Sequence, residues 1–403
     1  MFDAIIVGAR CAGSPLAMLL ARRGCRVLLV DKAKFPSDTV STHVIWQSGL
    51  ARAKRWGLLD RIVALGAPPI RTIGFDAGDF ALSGSPPAAD GVDYAVAPRR
   101  ILLDKVLVDA AVEAGAELRE QLYVSDVVTE NGRVTGIRGQ AAGGTALDER
   151  ARIVIGADGT HSFLAHAVRA PKYNIRPSTA CAYYAYWRGR GAPEAFDTFM
   201  RGGVGAAYFP TNDGLTCVVA GWTDEYVSPG SPPEKGYRRA IAAIPQLSEF
   251  VARAEQVEPV VGMRDMTGFF RKSWGDGWAL AGDAAYHKHP LSAQGISDAF
   301  RDADLLSEAV YEGLSGRRSF EEALADYARL HDQAVMPMYE STCMRALLEA
   351  PPPQMAALFK AIARNQAEAD RFFGTDAGTV PIDEFFRPDN VERIMRSAAS
   401  AAG

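Results

Sequence analysis

The first 31 residues carry the pattern that most restricts how this chain can fold. Residues 4–7 form a short apolar run, a glycine-containing turn follows, and residues 14–23 are rich in alanine and leucine. A second apolar run, residues 25–30, ends at Asp31. A strand, a tight turn, a helix and a second strand in this order form a βαβ unit, and such units build parallel sheets covered by helices. We therefore expect an α/β fold.

The turn between the first strand and the first helix has the spacing of a nucleotide-binding loop. Gly8 permits a tight turn and Gly13 allows the helix to pack closely on the strand, whereas Arg10 replaces the middle glycine of the usual GxGxxG pattern. The free N–H groups of the helix would face a pyrophosphate. Asp31 stands where an acidic side chain accepts a hydrogen bond from a ribose hydroxyl. The alternative is a turn that binds nothing; the pattern favours a dinucleotide without separating FAD from NAD.

Sheet signals occur on both sides of a segment rich in aromatic residues. Residues 118–128 and 134–138 flank an Asn-Gly turn signal. The segments 179–187 and 205–222 combine aromatic and β-branched residues with glycine and proline, as in antiparallel strands. We therefore predict a Rossmann-like domain interleaved with an antiparallel-sheet domain and followed by a C-terminal helical extension. The predicted ranges are 1–70, 97–176 and 264–330 for the first domain, 71–96 and 177–263 for the second, and 331–403 for the extension.

Composition and charge exclude several classes of protein. The 403 residues are enough for two or three domains at roughly 150 residues each. The apolar content of 48% is that of a globular protein, and a net charge of −4 argues against a nucleic-acid partner. The five cysteines lack zinc spacing, and no apolar run approaches the roughly 20 residues that cross a bilayer. We therefore expect a cytoplasmic protein without a membrane span.

Three later motifs indicate which dinucleotide binds. Asp158-Gly159 follows one buried apolar run, Gly282-Asp283 follows another, and the stretch from Pro290 to Gly295 opens a helix. Together with the first glycine turn, these motifs resemble the single-component flavoprotein monooxygenases of the p-hydroxybenzoate hydroxylase type and the related geranylgeranyl reductases. The resemblance covers residues 1–330. It implies FAD as the cofactor, NAD(P)H as a transient reductant, and an FAD-binding domain of the glutathione reductase type 2.

The resemblance also implies roles for individual residues. In that family the aspartate at the position of Asp283 bonds the ribitol chain of the flavin. In that family the helix at the position of Gly295 stabilises negative charge near N1 of the reduced ring. Asp158 matches a motif linked to both FAD and the nicotinamide cofactor, and Arg100 matches an arginine that contacts the FAD phosphates. The expected FAD-binding residues are Gly8, Arg10, Ala12, Gly13, Asp31, Lys32, Thr42, His43, Arg100, Asp158, Gly159, Gly282, Asp283, Pro290, Gly295, Ile296 and Ser297.

Histidines near these motifs are candidates for catalysis. His43 lies in the loop after the second strand, which in the family runs beside the isoalloxazine ring, and an imidazole can serve there as an acid or a base. The alternative is a packing histidine. His287 and His289 precede Pro290 at a turn that faces the flavin in the family, with a plain loop role as the alternative. No third ligand follows at zinc spacing, so no metal site is expected. The expected catalytic residues are His43, His287, His289 and Pro290.

The aromatic strands are expected to form the wall of the substrate pocket. Alternation along residues 183–187 places Tyr184 and Tyr186 on one face of a sheet and Tyr183 and Trp187 on the other, and it leaves open which set faces the ligand. In the family this sheet lies opposite the flavin. Few charged residues fall in these strands, so we expect an apolar or aromatic small-molecule substrate. The predicted pocket residues are Tyr184, Tyr186, Tyr208, Phe209 and Trp222.

The expected reaction is an NAD(P)H-dependent monooxygenation, in which O2 forms a C4a-(hydro)peroxyflavin that gives one oxygen atom to the substrate. An ene-reductase of the geranylgeranyl reductase kind is the main alternative, because Tyr208-Phe209-Pro210 partly matches an aromatic motif of those enzymes. A flavin halogenase, whose W-x-W-x-I-P signature the sequence lacks, and a non-catalytic flavin-binding protein are two further alternatives. Either a monomer or a homodimer is expected.

Overall fold

Short buried apolar runs form the strands, and amphipathic segments between them form the helices. The computed structural model describes residues 1–191, 193–228 and 230–400. The strands of these residues are β1 Phe2–Val7, β2 Val27–Val30, β3 Ile73–Asp76, β4 Ala81–Gly84, β5 Glu117–Arg119, β6 Leu122–Glu130, β7 Arg133–Ala141, β8 Ala146–Gly156, β9 Lys172–Arg176, β10 Ala180–Gly189, β11 Phe196–Arg201, β12 Val204–Pro210, β13 Thr216–Thr223, β14 Ala254–Gln256, β15 Val261–Met263, β16 Gly268–Arg271, β17 Trp274–Gly275, β18 Trp278–Leu280 and β19 Tyr286–His287.

The helices lie between and after these strands. Short 3₁₀ helices occur at Asn212–Gly214, Gly282–Ala284 and Pro290–Ser292. The α-helices are α1 Gly13–Ala21, α2 Gln47–Arg55, α3 Leu59–Val63, α4 Arg100–Glu113, α5 Phe163–Ala167, α6 Pro233–Ala242, α7 Pro245–Ala252, α8 Gly295–Ser315, α9 Phe320–Arg345, α10 Pro353–Ile362, α11 Gln366–Ala377, α12 Ile382–Phe385 and α13 Pro388–Ser400.

The first sheet has the strand order β17-β18-β8-β1-β2-β5, and the β6–β7 hairpin joins it through β8. Strands β18, β8, β1, β2 and β5 are parallel, with Ile6 of β1 paired to Leu29 of β2 and Ile155 of β8. These strands are buried on both faces because α1, α4 and α8 cover one face and the β6–β7 hairpin with α5 covers the other. The motif-bearing turns therefore meet at the carboxyl ends of β1 and β8.

The second sheet is mainly antiparallel and has the order β14-β10-β13-β12-β11-β3-β4, with β15 on the edge of β10. One face packs on α6 and α7. The other face packs on residues near the flavin motifs and on helices α10, α11, α12 and α13. A small third sheet, β19-β16-β9, lies beside it. This architecture confirms the predicted α/β fold, with a Rossmann-like domain, an interleaved antiparallel sheet and C-terminal helices.

The chain passes between the two main sheets several times. Strands of the first sheet lie within residues 2–30, 117–156 and 274–280, whereas those of the second lie within residues 73–84 and 180–263. The expected start of the helical extension, residue 331, falls inside α9. A capping box formed by Ser319 and Glu322 begins that helix earlier, at Phe320. The helices after it cover the aromatic sheet, so the C-terminal part is a wall of the molecule rather than an appendage.

Candidate active site

The first glycine turn can exist only without side chains at two positions. Gly8 has φ +102°, and a Cβ atom there would lie 2.4 Å from the carbonyl oxygen of Ala157. A Cβ atom at Gly13 would lie 1.8 Å from the carbonyl oxygen of Gly8. The carboxylate of Asp31 closes the turn, because it accepts hydrogen bonds from the backbone N–H of Ala9 at 2.7 Å and of Ala33 at 2.8 Å. The turn therefore brings bare backbone to the cavity beside the start of α1.

A fully buried carboxylate anchors the arginine that replaces the middle glycine. Asp104 accepts hydrogen bonds from Arg10 Nη1 at 2.5 Å and from Arg100 Nε at 2.9 Å, and the thiol of Cys11 lies 3.4 Å away. Arg10 also donates to the carbonyl oxygen of Ser37 at 3.1 Å. Two guanidinium groups are thus held at the edge of the glycine turn, where a pyrophosphate would need positive charge.

The start of α8 presents unpaired backbone donors. The first helical hydrogen bond runs from the N–H of Asp298 to the carbonyl of Gln294, so the N–H groups of Gly295, Ile296 and Ser297 make no backbone bond in the described residues. A Cβ atom at Gly295 would meet nothing within 4 Å, since this residue opens into the cavity. Free N–H groups and the helix dipole together favour an anionic atom here.

Two carboxylates from the second and third motifs lie in the same cavity. Asp158 accepts hydrogen bonds from Ser162 Oγ and from the backbone N–H of Phe163 at 2.6 Å, so it caps α5 while bordering the cavity. Asp283 opens directly into the cavity, on a turn in which Gly282 has φ +58°. Because both groups lie deep in the molecule, burial raises the pKa of Asp158 and of Asp283.

One continuous cavity of about 1810 Å³ connects these motifs with the aromatic sheet and the C-terminal helices. Small-molecule sites usually measure about 300–1,000 Å³, so this cavity has room for a dinucleotide and a second molecule. Its apolar walls come from β11, β12 and β13 and from the segments around α10 to α13. Examples of these wall residues are Phe75, Phe196, Phe209, Met355, Phe359, Phe372, Phe373, Phe386 and Met395.

FAD fits this donor set. The bare turn at Gly8 and the paired guanidinium groups of Arg10 and Arg100 would hold the pyrophosphate, and the free N–H groups at the start of α8 would face the electron-rich edge of the flavin. Most residues expected from the sequence border the cavity: Gly8, Arg10, Ala12, Asp31, Lys32, Thr42, Arg100, Asp158, Gly159, Gly282, Asp283, Pro290, Gly295 and Ile296. The exceptions are Gly13, which packs on the turn, Ser297, whose Oγ accepts from the N–H of Trp46 at 3.2 Å, and His43.

His43 lies behind the cavity wall rather than in the cavity. Its ring is fully buried, and Nε2 lies 2.7 Å from the hydroxyl oxygen of Tyr186. Burial, with added repulsion from Arg100 and Arg99, lowers the pKa of His43 to about 3. The imidazole is therefore neutral at physiological pH and its position matches the packing alternative. Tyr186 was expected to line the substrate pocket, but its hydroxyl forms a hydrogen bond with His43 and its ring does not border the cavity.

His287, His289 and Pro290 border the cavity close to the start of α8. Nδ1 of His287 lies 3.0 Å from the carbonyl oxygen of Thr267. Burial, with repulsion from His287 and Arg345, lowers the pKa of His289 to about 4. Lys288 also borders the cavity, and its ammonium group forms a buried ion pair of 2.8 Å with Asp298.

Alternation along the strands divides the predicted aromatic wall. Tyr184 and Phe209 border the cavity, and burial raises the pKa of Tyr184 to about 12. Tyr208 and Trp222 instead lie on the opposite face, where Tyr208 packs on Phe250 of α7. Because successive side chains of a strand point to opposite faces, Tyr208 and Phe209 cannot both line one cavity. The predicted pocket set is corrected accordingly.

Sequence reasoning missed two parts of the site. Asp104 is not among the expected site residues, although its i+4 spacing from Arg100 is a detectable ion-pair signal. The sequence predicts a C-terminal helical extension, but it does not predict that this extension packs on the aromatic sheet. In the structure Phe359 contacts Phe75 and Phe80 of the second-sheet region, at ring-centroid distances of 6.0 and 5.5 Å. Only long-range packing reveals that these rings enclose the cavity.

Known proteins share both the sequence pattern and the fold. A digeranylgeranylglycerophospholipid reductase of Methanopyrus kandleri is 29% identical over 324 residues, 78% of each chain. A 6-methylpretetramide 4-monooxygenase of Streptomyces rimosus is 28% identical over 339 residues, 80% of this chain and 78% of that one. A flavoprotein/dehydrogenase structure from Cytophaga hutchinsonii superposes with a TM-score of 0.85 at 18% identity, with both chains covered completely.

The family comparison is consistent with the geometry of the glycine turn and of the start of α8. The model of the family described as "FAD binding domain" matches residues 1–341. Among the described residues, no helix has the length and apolar character that crossing a membrane requires.

Because the family model covers residues 1–341, the chain belongs to the FAD-binding-domain family and is an FAD-dependent oxidoreductase.

Proposed function

We propose that the protein is an NAD(P)H-dependent monooxygenase that acts on a bulky organic compound of apolar or aromatic character. The observation that carries this proposal is the continuous cavity of about 1810 Å³, which runs from the flavin-binding motifs to a wall of apolar and aromatic side chains. The monooxygenase relative, with similar identity over most of both chains, supports the same reaction class. Its named substrate is not carried over to this chain.

The chain's own residues would bind the cofactor and hold its reactive end in place. Gly8, Arg10 and Arg100 would bind the pyrophosphate, Asp283 would accept hydrogen bonds from the ribitol hydroxyls, and the backbone from Gly295 onward would face the ring. When bound, FAD supplies the two-electron chemistry that links NAD(P)H oxidation to the use of O2. Asp158 borders the same cavity, and we assign the approach of NAD(P)H to its side.

The wall opposite the motifs would exclude water and orient the substrate. Phe196 and Phe209 stack at a ring-centroid distance of 5.0 Å, and together with Tyr184 they present a nearly apolar surface. Because the pKa of Tyr184 is raised to about 12, its hydroxyl stays protonated and can donate one hydrogen bond to a substrate oxygen. A dry wall matters for oxygenation, since water in the site promotes unproductive side reactions.

A second candidate is reduction of an isolated carbon–carbon double bond in a long apolar molecule. The observation that favours it is the extent of the apolar wall, which continues beyond the aromatic sheet along α10 to α13. The relative from Methanopyrus kandleri carries the name of a reductase of an isoprenoid lipid. Both candidates use the same cofactor site and differ only in whether O2 takes part.

Labelled oxygen separates the two candidates. The FAD-loaded protein is incubated with NADH or NADPH and a panel of apolar phenols and isoprenoid alcohols, with and without isotopically labelled O2. The expected result is substrate-stimulated NAD(P)H oxidation that needs O2 and gives a product with one labelled oxygen atom. Product formation without O2 would establish the reductase, and NAD(P)H oxidation that no compound accelerates would contradict both candidates.

A further inference from the structure

The loop that leads into α8 has a backbone that needs anchors. Residues 288–294 connect β19 to this helix. Ala293 has φ +51°, a left-handed conformation that residues other than glycine seldom adopt. Such a conformation persists only where the surrounding structure holds it. One anchor is Trp46, whose indole N–H donates to the carbonyl oxygen of Ser292 at 3.0 Å. The side chain of Gln294, directly before the helix, supplies further anchors.

Lys288 bridges the start of α8. Its ammonium group donates to Oε1 of Gln294 at 2.5 Å and pairs with the carboxylate of Asp298 at 2.8 Å. Lys288 is only 7% exposed, so water competes little for these contacts. The N–H groups of residues 295–297, which lack backbone partners in the described part of the chain, lie between the two contacts. The position of these donors therefore depends on Gln294 at one end and on Asp298 at the other.

The amide nitrogen of Gln294 holds the last turn of α11. Nε2 donates to the carbonyl oxygen of Asp376 at 2.8 Å and makes a longer contact of 3.4 Å with that of Thr375. The last carbonyl groups of a helix have no partner within it, so a side-chain donor from elsewhere stabilises the helix end. With Lys288 on its oxygen and α11 on its nitrogen, the buried amide of Gln294 joins two helices that are distant in sequence.

Asp376 also connects this contact to the C-terminal wall of the cavity. Its carboxylate accepts hydrogen bonds from Arg345, the last residue of α9, at 2.7 and 3.3 Å. About one turn before Asp376, Phe372 and Phe373 border the cavity. The four residues lie beyond residue 341, where the match to the FAD-binding family ends. The part of the chain outside that match is therefore fastened to the end of the cavity that would hold the flavin.

We propose that Gln294 is a positioning residue for FAD, because it ties the start of α8 to the last turn of α11 and so fixes the N–H groups of residues 295–297. The inference rests on the FAD site and is independent of the choice between oxygenation and reduction. A helix N-terminus favours negative charge, and reduced flavin carries negative charge near N1. A fixed start of α8 therefore stabilises reduced FAD relative to oxidised FAD, and a loosened start lowers the midpoint potential.

Gln294→Met tests this assignment in the FAD-loaded protein, because methionine has a similar length and lacks the amide. The midpoint potential of the flavin is measured by equilibration with a reference dye, and amide hydrogen exchange is followed by mass spectrometry. We expect reduced FAD to lose about tenfold in binding relative to oxidised FAD, which lowers the midpoint potential by about 30 mV for a two-electron couple. Exchange should become faster in residues 288–298 and in residues 372–380 together.

Gln366→Met is the matched control. Gln366 also ties α11 to another element, since its amide donates to the carbonyl oxygen of Ser83 at 3.1 Å, but it lies at the other end of the helix and does not border the cavity. This variant should keep the wild-type midpoint potential. An equal fall of the potential in both variants would show general loosening and would overturn the proposal.

Two results for Gln294→Met itself would also overturn the proposal. One is an unchanged midpoint potential. The other is a lower potential without faster exchange in residues 372–380, because Gln294 would then act only within its own loop. Should Gln294→Met fail to retain FAD, Gln294→Glu replaces it, since a carboxylate still accepts from Lys288 but cannot donate to α11. Exchange in residues 372–380 should be faster in that variant, and unchanged exchange there overturns the proposal.

Discussion

Replacing Asp104 by asparagine tests whether a buried charge holds the cofactor turn together. The carboxylate is fully buried and pairs with Arg10 at 2.5 Å and with Arg100 at 2.9 Å. Removing one partner of a buried ion pair costs about 3–5 kcal/mol, because the remaining charge lacks compensation. An unfolding entropy of roughly 2.1 cal/mol/K per residue over 403 residues is about 0.85 kcal/mol/K. The midpoint of thermal unfolding should therefore fall by roughly 4–6 °C.

The control for this change lies on the same helix. Asp109 pairs with Lys105 on the exposed side of α4, and exposed pairs contribute at most about 1 kcal/mol, so Asp109→Asn should lower the midpoint by no more than about 1 °C. Calorimetric unfolding of both variants measures the difference, and flavin absorbance relative to protein absorbance measures cofactor content. FAD content should fall only in Asp104→Asn, since Arg10 and Arg100 lose their anchor. Equal midpoints for the two variants would refute this reasoning.

Three further changes test other parts of the site. Gly13→Ala should abolish FAD retention, because the new methyl group would lie 1.8 Å from the carbonyl oxygen of Gly8; a variant that stays fully yellow after gel filtration would contradict this. Tyr186→Phe should lower the free energy of unfolding by about 1–3 kcal/mol, since it leaves Nε2 of His43 without a partner, and unchanged urea unfolding would contradict that contact. Acidification should also destabilise the fold. In the folded protein the pKa of His43 is lowered to about 3 and that of His289 to about 4, whereas histidines of the unfolded chain have a pKa of about 6.5. The unfolded chain therefore takes up protons first as the pH falls, which favours unfolding. Between about pH 7 and about pH 5, each histidine should lower the free energy of unfolding by about 2 kcal/mol. Urea unfolding at the two pH values measures this loss, and His289→Asn should remove one of the two contributions. An unchanged pH dependence in that variant would contradict the assignment.

The backbone features of the candidate cofactor site were predictable because their signals are local. The turn from Gly8 to Gly13 needs glycine for reasons of backbone geometry within a few residues, and the start of α8 follows from the residues around Gly295. Pocket residues were harder to predict. Alternation places Tyr208 and Phe209 on opposite faces, but it does not say which face meets the cavity. The protonation state of His43 was equally hard to predict from the sequence, because it depends on burial of the ring and on the contact with Tyr186.

The sequence by itself determined the fold class and the presence of a dinucleotide-binding turn, since strand and helix periods and glycine turns are properties of short segments. The choice of FAD came from the resemblance to a flavoprotein family. Only the tertiary structure decided which side chains act together. It places Asp104 against Arg10, sets the ring of His287 on the carbonyl of Thr267, and closes the aromatic sheet with the rings around Phe359. These contacts join residues far apart in the chain, and their pairing depends on how sheets and helices pack, which no local pattern encodes.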